Sequence, residues 1–254
     1  MSRPADRPAE ASLRSALASR LAAVQGRIAR SAERVGRDPE QVRLVVVTKS
    51  ATPAQTVAAV EAGARHLGEN RVQDAASRMA AVAEAGLSPC WHMIGHLQRN
   101  KVGPALDGFD RIDSIDSLRL ARRVDRLADE RGRTVPVLLQ VNVAGDPAKH
   151  GLTPAELPSV ARAVAGLPGL RVEGIMTIVF RDGDVEALRA AFAAMRALQT
   201  HLRQGLPELP WHVLSMGMSQ DLELAVEEGS TEVRVGRAIF AGLPAEPAHR
   251  EEPR

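Results

Sequence analysis

The sequence predicts an α/β protein, a closed (β/α)8 TIM barrel with an additional N-terminal helix, and three observations carry that expectation. Short β-branched runs alternate with helical stretches between residues 44 and 235. Two helix starts repeat the same signal, a hydroxyl residue, then proline, then Gln or Glu two positions later. No linker-like stretch divides the 254 residues, a length at which barrels of this kind commonly form one domain.

Taken in order, residues 1–10 are rich in Pro, Arg and Glu without apolar periodicity, and they are expected to be a disordered N-terminus. The same reading makes 243–254 a disordered tail and 11–242 a single barrel domain. From Ala11 to Val35, apolar residues such as Leu13, Leu21, Val24 and Ile28 recur at helical spacing, which predicts a long amphipathic helix ahead of the barrel. Strands are predicted at Leu44 to Thr48, His66 to Gly68, Trp91 to Ile94, Arg111 to Ile115, Val135 to Val143, Val172 to Ile178, His212 to Ser215 and Glu232 to Val235. Thr52-Pro53-Ala54-Gln55 and Thr153-Pro154-Ala155-Glu156 each place a hydroxyl N-cap, Pro at N1 and Gln or Glu at N3, the signature of a capping box just after a strand. Strands separated by helices pair in parallel, and that number of βα units closes naturally on itself.

Hydrophobic residues make up 44% and charged residues 25%, with a formal net charge of +2. Those values exclude an intrinsically disordered chain. Aromatics are 2% of the chain, so neither a concentrated positive field nor stacking platforms for nucleic acid are present. No signal-peptide pattern and no run of membrane-spanning length occurs, and the cytoplasm is the expected location, with no membrane partner. Cys90 is the sole cysteine, so an intramolecular disulfide is impossible. No metal site is expected, because His92 and His96 have i, i+4 spacing without an obvious third ligand.

Lys49, Lys101 and Lys149 are the only lysines among 33 basic residues. Arginine holds its proton, whereas a lysine ammonium can lose one in a suitable pocket and become a nucleophile. Lys49 ends the first predicted strand, and function in such barrels gathers at the strand C-termini. Apolar surroundings there would favour the neutral amine and suit it to imine formation; a solvated residue ending a strand is the alternative. Phosphate sites are frequently built from the loops after strands seven and eight. Leu214-Ser215-Met216-Gly217-Met218-Ser219 follows the seventh, with Ser219 read as the N-cap of the next helix, and Arg234-Val235-Gly236-Arg237 follows the eighth. Lys101 and Lys149 suit either an anionic ligand or the surface, Met176, Met216 and Met218 suit the core, and Glu69-Asn70 suits either a ligand or the following helix start.

Several ordered motifs then make a specific resemblance: Val46-Val47-Thr48-Lys49, Gly68-Glu69-Asn70-Arg71-Val72-Gln73, Trp91 through Lys101, Ser114-Ile115-Asp116-Ser117, Gly174-Ile175-Met176-Thr177-Ile178, Leu214 to Ser219, and Gly229 to Gly236. From about Val42 to Gly242 the chain resembles the pyridoxal phosphate homeostasis protein family, whose members resemble the N-terminal barrel of alanine racemases. The resemblance implies that pyridoxal 5′-phosphate (PLP) is the cofactor and that Lys49 carries it as a Schiff base. It further implies that Ser215 and the backbone at Gly236 and Arg237 bind the phosphate, that Arg234 faces the pyridine nitrogen, and that Asn70 lines the pocket. A guanidinium on the ring nitrogen leaves that nitrogen unprotonated and makes the cofactor a poorer electron sink. The chain departs from the family pattern at Asp74, Asp146 and Arg237.

The function implied is intracellular PLP homeostasis without dedicated turnover, so the chain is expected not to be an enzyme and to pass PLP to PLP-dependent apo-enzymes. An amino-acid racemase is the first alternative. Alanine racemases use a tyrosine and a second β-domain, and this chain has no tyrosine and no length for that domain, which also points to a monomer. A Schiff-base aldolase, binding a substrate rather than a cofactor at Lys49, is the second.

Overall fold

The computed structural model describes residues 6–179 and 184–243. An N-terminal helix α1 (Asp6–Arg34) leads into β1 (Arg43–Val47), and strands and helices then alternate: α2 (Pro53–Glu61), β2 (His66–Glu69), α3 (Val72–Glu84), β3 (Cys90–Met93), α4 (Val102–Gly108), β4 (Arg111–Ile115), α5 (Leu118–Asp129), β5 (Val135–Gln140), α6 (Leu157–Ala165), β6 (Leu170–Met176), α7 (Val185–Gly205), β7 (Val213–Ser215), α8 (Leu222–Glu227), β8 (Glu232–Val235) and α9 (Arg237–Phe240). The strands close in sequence order into one barrel, with β1 paired in parallel to both β2 and β8.

Each predicted strand is present within a residue or two, except that β5 is shorter. It ends at Gln140, and Val141 continues only as an isolated bridge to Leu152. Two helix starts differ from expectation. α1 begins at Asp6 rather than near Ala11; its opening residues Asp6, Arg7 and Pro8 carry no apolar period to announce it, although a proline is tolerated in a first helical turn. Thr52 forms the full capping box with Gln55. Thr153 and Glu156 exchange the same reciprocal bonds, Glu156 N donating to Thr153 Oγ1 at 3.2 Å and Thr153 N to Glu156 Oε2 at 3.0 Å, yet the helix itself begins only at Leu157. Residues 1–5 and 244–254 of the two expected disordered ends lie outside the described residues.

The apolar core lies between the barrel wall and the helices, from Leu17, Leu21, Val24 and Ile28 of α1 to Phe192 and Met195 of α7. α1 is fastened across the last βα units by arginines. Arg27 makes two bonds to Glu223, at 2.6 and 2.9 Å. Arg34 reaches Glu227 at 2.7 Å, and Arg20 donates to the carbonyls of Ile239 and Ala241.

Inside the N-terminal half of the barrel the filling is charged. Arg111 and Asp113 lie two residues apart on β4, so they share a face, and Arg111 Nε donates to Asp113 Oδ1 at 2.6 Å. Arg111 Nη2 donates to Glu232 of β8 at 2.5 Å. Its Nη1 has no hydrogen-bond partner and sits 3.8 Å from Glu173. Burial opposes charging all of these groups. Even so, the Arg111 cation holds Asp113 far below the usual carboxylate range and draws Glu232 down as well.

Candidate functional site

Lys49 stands where the sequence put it, in the turn directly after β1 at the C-terminal mouth. That turn is held from beneath. Thr48 N donates to Gly68 O at 3.1 Å and Ala51 N to Thr48 O at 2.8 Å. The Thr48 hydroxyl donates to Glu69 Oε1 at 2.5 Å, and Glu69, fully buried at the end of β2, accepts a two-pronged bond from Arg78 of α3, at 2.5 and 3.0 Å. Arg78 also donates to Ala51 O at 3.4 Å. Paired and hydrogen-bonded on every side, this carboxylate satisfies the condition for burying a charge. Glu69 therefore neither holds a ligand nor caps α3; it fixes the turn that presents Lys49. One expectation needs correcting: Lys49 is exposed, not enclosed in apolar surroundings, because only the turn beneath it is buried.

The loops after β7 and β8 meet beside β1. Arg234 N donates to Gly217 O at 2.9 Å, and Ala238 N donates to Ser219 Oγ at 3.3 Å. Ser219 thus caps the opening turn of α9 from the neighbouring loop and is not the N-cap of α8. Asp221 holds that position and accepts from Met218 N. Gly217 is required by its backbone, with φ +97°, and by the 2.5 Å that would separate an added Cβ from Ala225 Cβ. Gly236 is required by proximity, since a Cβ there would sit 2.8 Å from Val47 O. The loop after β8 consequently lies flush against the strand that ends in Lys49.

Ser215 and Arg234 are both buried and touch each other. Arg234 Nη1 donates to Ser215 Oγ at 2.6 Å and Nη2 to Thr177 O at 2.6 Å. Burial draws Arg234 below the ordinary arginine range, with Glu232, Asp113 and Asp221 opposing that shift. On β8, Glu232 and Arg234 point to the same interior: the first serves the charged layer around Arg111, the second the layer above it. Arg237 is exposed at the start of α9.

Asn70 is half-buried just after β2 and lines a cavity of about 540 Å³ with Arg71, Met93, His96 and Lys101. Its backbone presses on Gly95, where a Cβ would come within 2.2 Å of Asn70 O. This cavity occupies the β2–β3 side of the mouth, and neither Lys49 nor the loops after β7 and β8 line it. The structure thus brings Ser215 and Arg234 into contact and sets Gly236 against the end of β1 that leads to Lys49, while Asn70 faces the adjoining space. Across the mouth, His96 and His150 stack with centroids 3.7 Å apart, and His96 bonds Asp116 at 2.9 Å. Lys101 faces the cavity, whereas Lys149 pairs with Asp146 at 3.3 Å. Met176 and Met216 are fully buried core residues. Sequence reasoning missed Arg78 and Thr177, whose parts depend on contacts distant in the chain. Glu69 ends β2 but Arg78 lies in the middle of α3, so no short spacing announced the pair.

The pattern of the alanine racemase N-terminal domain family matches residues 19–244. A pyridoxal phosphate homeostasis protein of Pseudomonas aeruginosa is 41% identical over 238 residues, covering 91% of this chain and 99% of the relative. The protein of that name in Escherichia coli is 36% identical, with 88% and 95% covered. Among solved structures, PipY of Synechococcus elongatus with PLP bound is 37% identical, with a TM-score of 0.77 over 88% of this chain and 99% of PipY. An alanine racemase of Clostridium difficile, 12% identical, shares the fold with a TM-score of 0.65, and this chain spans 57% of its length. Relatives of such identity, matched over nearly their full length, place this chain in the pyridoxal phosphate homeostasis protein family.

Proposed function

We propose that this chain binds PLP through Lys49 and serves PLP homeostasis inside the cell, holding the cofactor and handing it to PLP-dependent apo-enzymes without turning over a substrate of its own. The observation that carries the reading is the contact between the loop after β8 and β1: Gly236, which no side chain could replace at 2.8 Å from Val47 O, sets an anion-binding turn beside the strand that ends in Lys49. The relatives named above and the PLP-bound PipY structure support it.

The residues present fit this cofactor. The first N–H groups of a helix have no intrahelical partner, and those of Gly236 and Arg237 at the start of α9 would be the backbone donors to a phosphate. Ser215 offers its hydroxyl from the end of β7. Arg234 is fixed by Ser215 Oγ and Thr177 O, so its guanidinium keeps one orientation and would offer a bound ring nitrogen a proton it does not readily surrender. Asn70 lines the neighbouring wall. Lys49 supplies the amine that takes the aldehyde, and the Thr48–Glu69–Arg78 network sets its position. When bound, PLP supplies an electrophilic aldehyde and an electron-withdrawing ring.

A racemase also needs acid and base groups on opposite faces of the substrate carbon. Lys49 serves one face, and the chain has no tyrosine for the other, where by residue type only Cys90 or a histidine could substitute. The proposal includes a monomer located in the cytoplasm. Among the described residues, no helix is long and apolar enough to cross a membrane. The test is to load the purified protein with PLP and follow its visible absorbance alongside racemisation of a pure L-amino acid. Absorbance that Lys49→Ala abolishes, with racemisation no faster than free PLP gives, is the expected result. Sustained turnover would establish the racemase instead.

A further inference from the structure

At the end of the barrel opposite Lys49, three side chains that no role above uses converge on one point. His66 begins β2, Cys90 begins β3 and His92 follows two residues later on the same strand face; β2–β3 pairing sets His66 directly opposite Cys90. One ligand atom from each lies within 4.8 Å of the others. His66 Nδ1 and His92 Nε2 are 3.0 Å apart, and the rings meet edge to face at 82°, so the two nitrogens face each other without the rings stacking. We infer that His66, Cys90 and His92 form a binding site for a zinc-class divalent metal ion at the N-terminal end of the barrel.

The geometry needs little adjustment. Zn–N bonds of about 2.0–2.1 Å at a tetrahedral angle put two ligating nitrogens about 3.3 Å apart, a few tenths of an ångström beyond their present separation. A thiolate with two imidazoles is a ligand set suited to zinc. The second nitrogen of His92, Nδ1, lies 3.3 Å from Asp113 Oδ2, and Asp113 is in turn gripped by Arg111. A carboxylate behind a ligating histidine fixes its tautomer and ring orientation. His66 and Cys90 are half-buried while His92 is fully buried, so the ion has a path in from the lower face and a fourth position open to water. The cations Arg43 and Arg111 lie close by; Asp113, Glu232 and the bound thiolate oppose them. On binding, the ion replaces the hydrogen bond between the two rings, and both the proton shared in that bond and the thiol proton pass to solvent.

The His96, Asp116 and His150 cluster at the mouth is a weaker candidate. Its rings lie nearly parallel, 11° apart, so their lone pairs run side by side and do not converge on one ion. Neither arrangement is visible from spacing along the chain, because the lower site exists only through the register of β2 on β3.

The full-length protein, freed of metal with EDTA, should be titrated with Co²⁺ and then Zn²⁺. The inference expects one Co²⁺ per chain, a near-ultraviolet thiolate–cobalt band with intense tetrahedral visible bands, and their loss when Zn²⁺ is added. Cys90→Ser should abolish the near-ultraviolet band, and His66→Gln should weaken binding by at least about tenfold. In the unaltered protein, Zn²⁺ should slow alkylation of Cys90 by iodoacetamide and EDTA should restore it, a readout that needs no variant. Absence of the cobalt bands, their persistence in Cys90→Ser, or alkylation indifferent to Zn²⁺ would overturn it.

Discussion

The Thr48 hydroxyl donates to Glu69 Oε1 at 2.5 Å, tying the residue before Lys49 to a carboxylate that Arg78 already grips with two bonds. The turn after β1 is thereby held by β2 and α3, through groups that are themselves buried.

Glu69→Gln should be strongly destabilising, since it leaves the Arg78 charge buried without its counter-ion. Breaking a buried pair on one side costs about 3–5 kcal/mol. Urea denaturation should show a lower midpoint, and the folded fraction should take up PLP more slowly than the unaltered chain. An unchanged midpoint would mean that Arg78 finds another partner.

Gly236→Ala tests the contact on which the phosphate turn depends. The added methyl meets Val47 O at 2.8 Å, and overpacking of this kind costs about 1–3 kcal/mol. PLP affinity should fall more than stability does, because the turn must back away from β1. Equilibrium dialysis beside thermal unfolding separates the two effects.

Arg234→Lys keeps the charge and loses the fork. A single ammonium does not reproduce the bonds to Ser215 Oγ and Thr177 O in their present geometry, and a buried acceptor left unsatisfied costs about 1–3 kcal/mol. The expected outcome is weaker PLP retention on gel filtration and a shifted absorbance of the bound cofactor. Retention equal to the unaltered chain would remove Arg234 from the site.

The clasp on α1 should loosen in acid. The hydrogen bond from Arg34 holds Glu227 below the usual carboxylate range; burial pushes Glu223 up, but the bond from Arg27 and its charge bring it lower. A carboxylate depressed on folding stabilises above its unfolded pKa, about 4.3, and that contribution disappears as pH falls through the lower folded value. The difference in Tm between the unaltered chain and a Glu223→Gln, Glu227→Gln variant should be present near neutral pH and vanish in strong acid. A difference independent of pH would contradict the assignment.

The barrel was legible because most strands are short β-branched runs, β2 and β3 being exceptions placed by their spacing, and because Thr52 with Gln55 announces a helix where one begins. Lys49, Ser215 and Gly236 could be singled out as candidates because a barrel places its site at strand ends. The polar interior was not. Arg111, Asp113, Glu232 and Arg234 sit in strands buried on both faces, where the alternation that separates inside from outside on a half-exposed strand is absent. Arg111 and Asp113 pair within β4, but their other partners come from strands far apart in sequence. Ser219 was misread for a related reason: its hydroxyl serves the neighbouring βα unit rather than its own.

The central claim is the covalent link at Lys49, and it is tested most directly by loading the protein with PLP, reducing with borohydride, digesting, and locating the added mass by peptide mass spectrometry. The account predicts a single label on the peptide containing Lys49. A label on Lys101 or Lys149, or none at all, would contradict it.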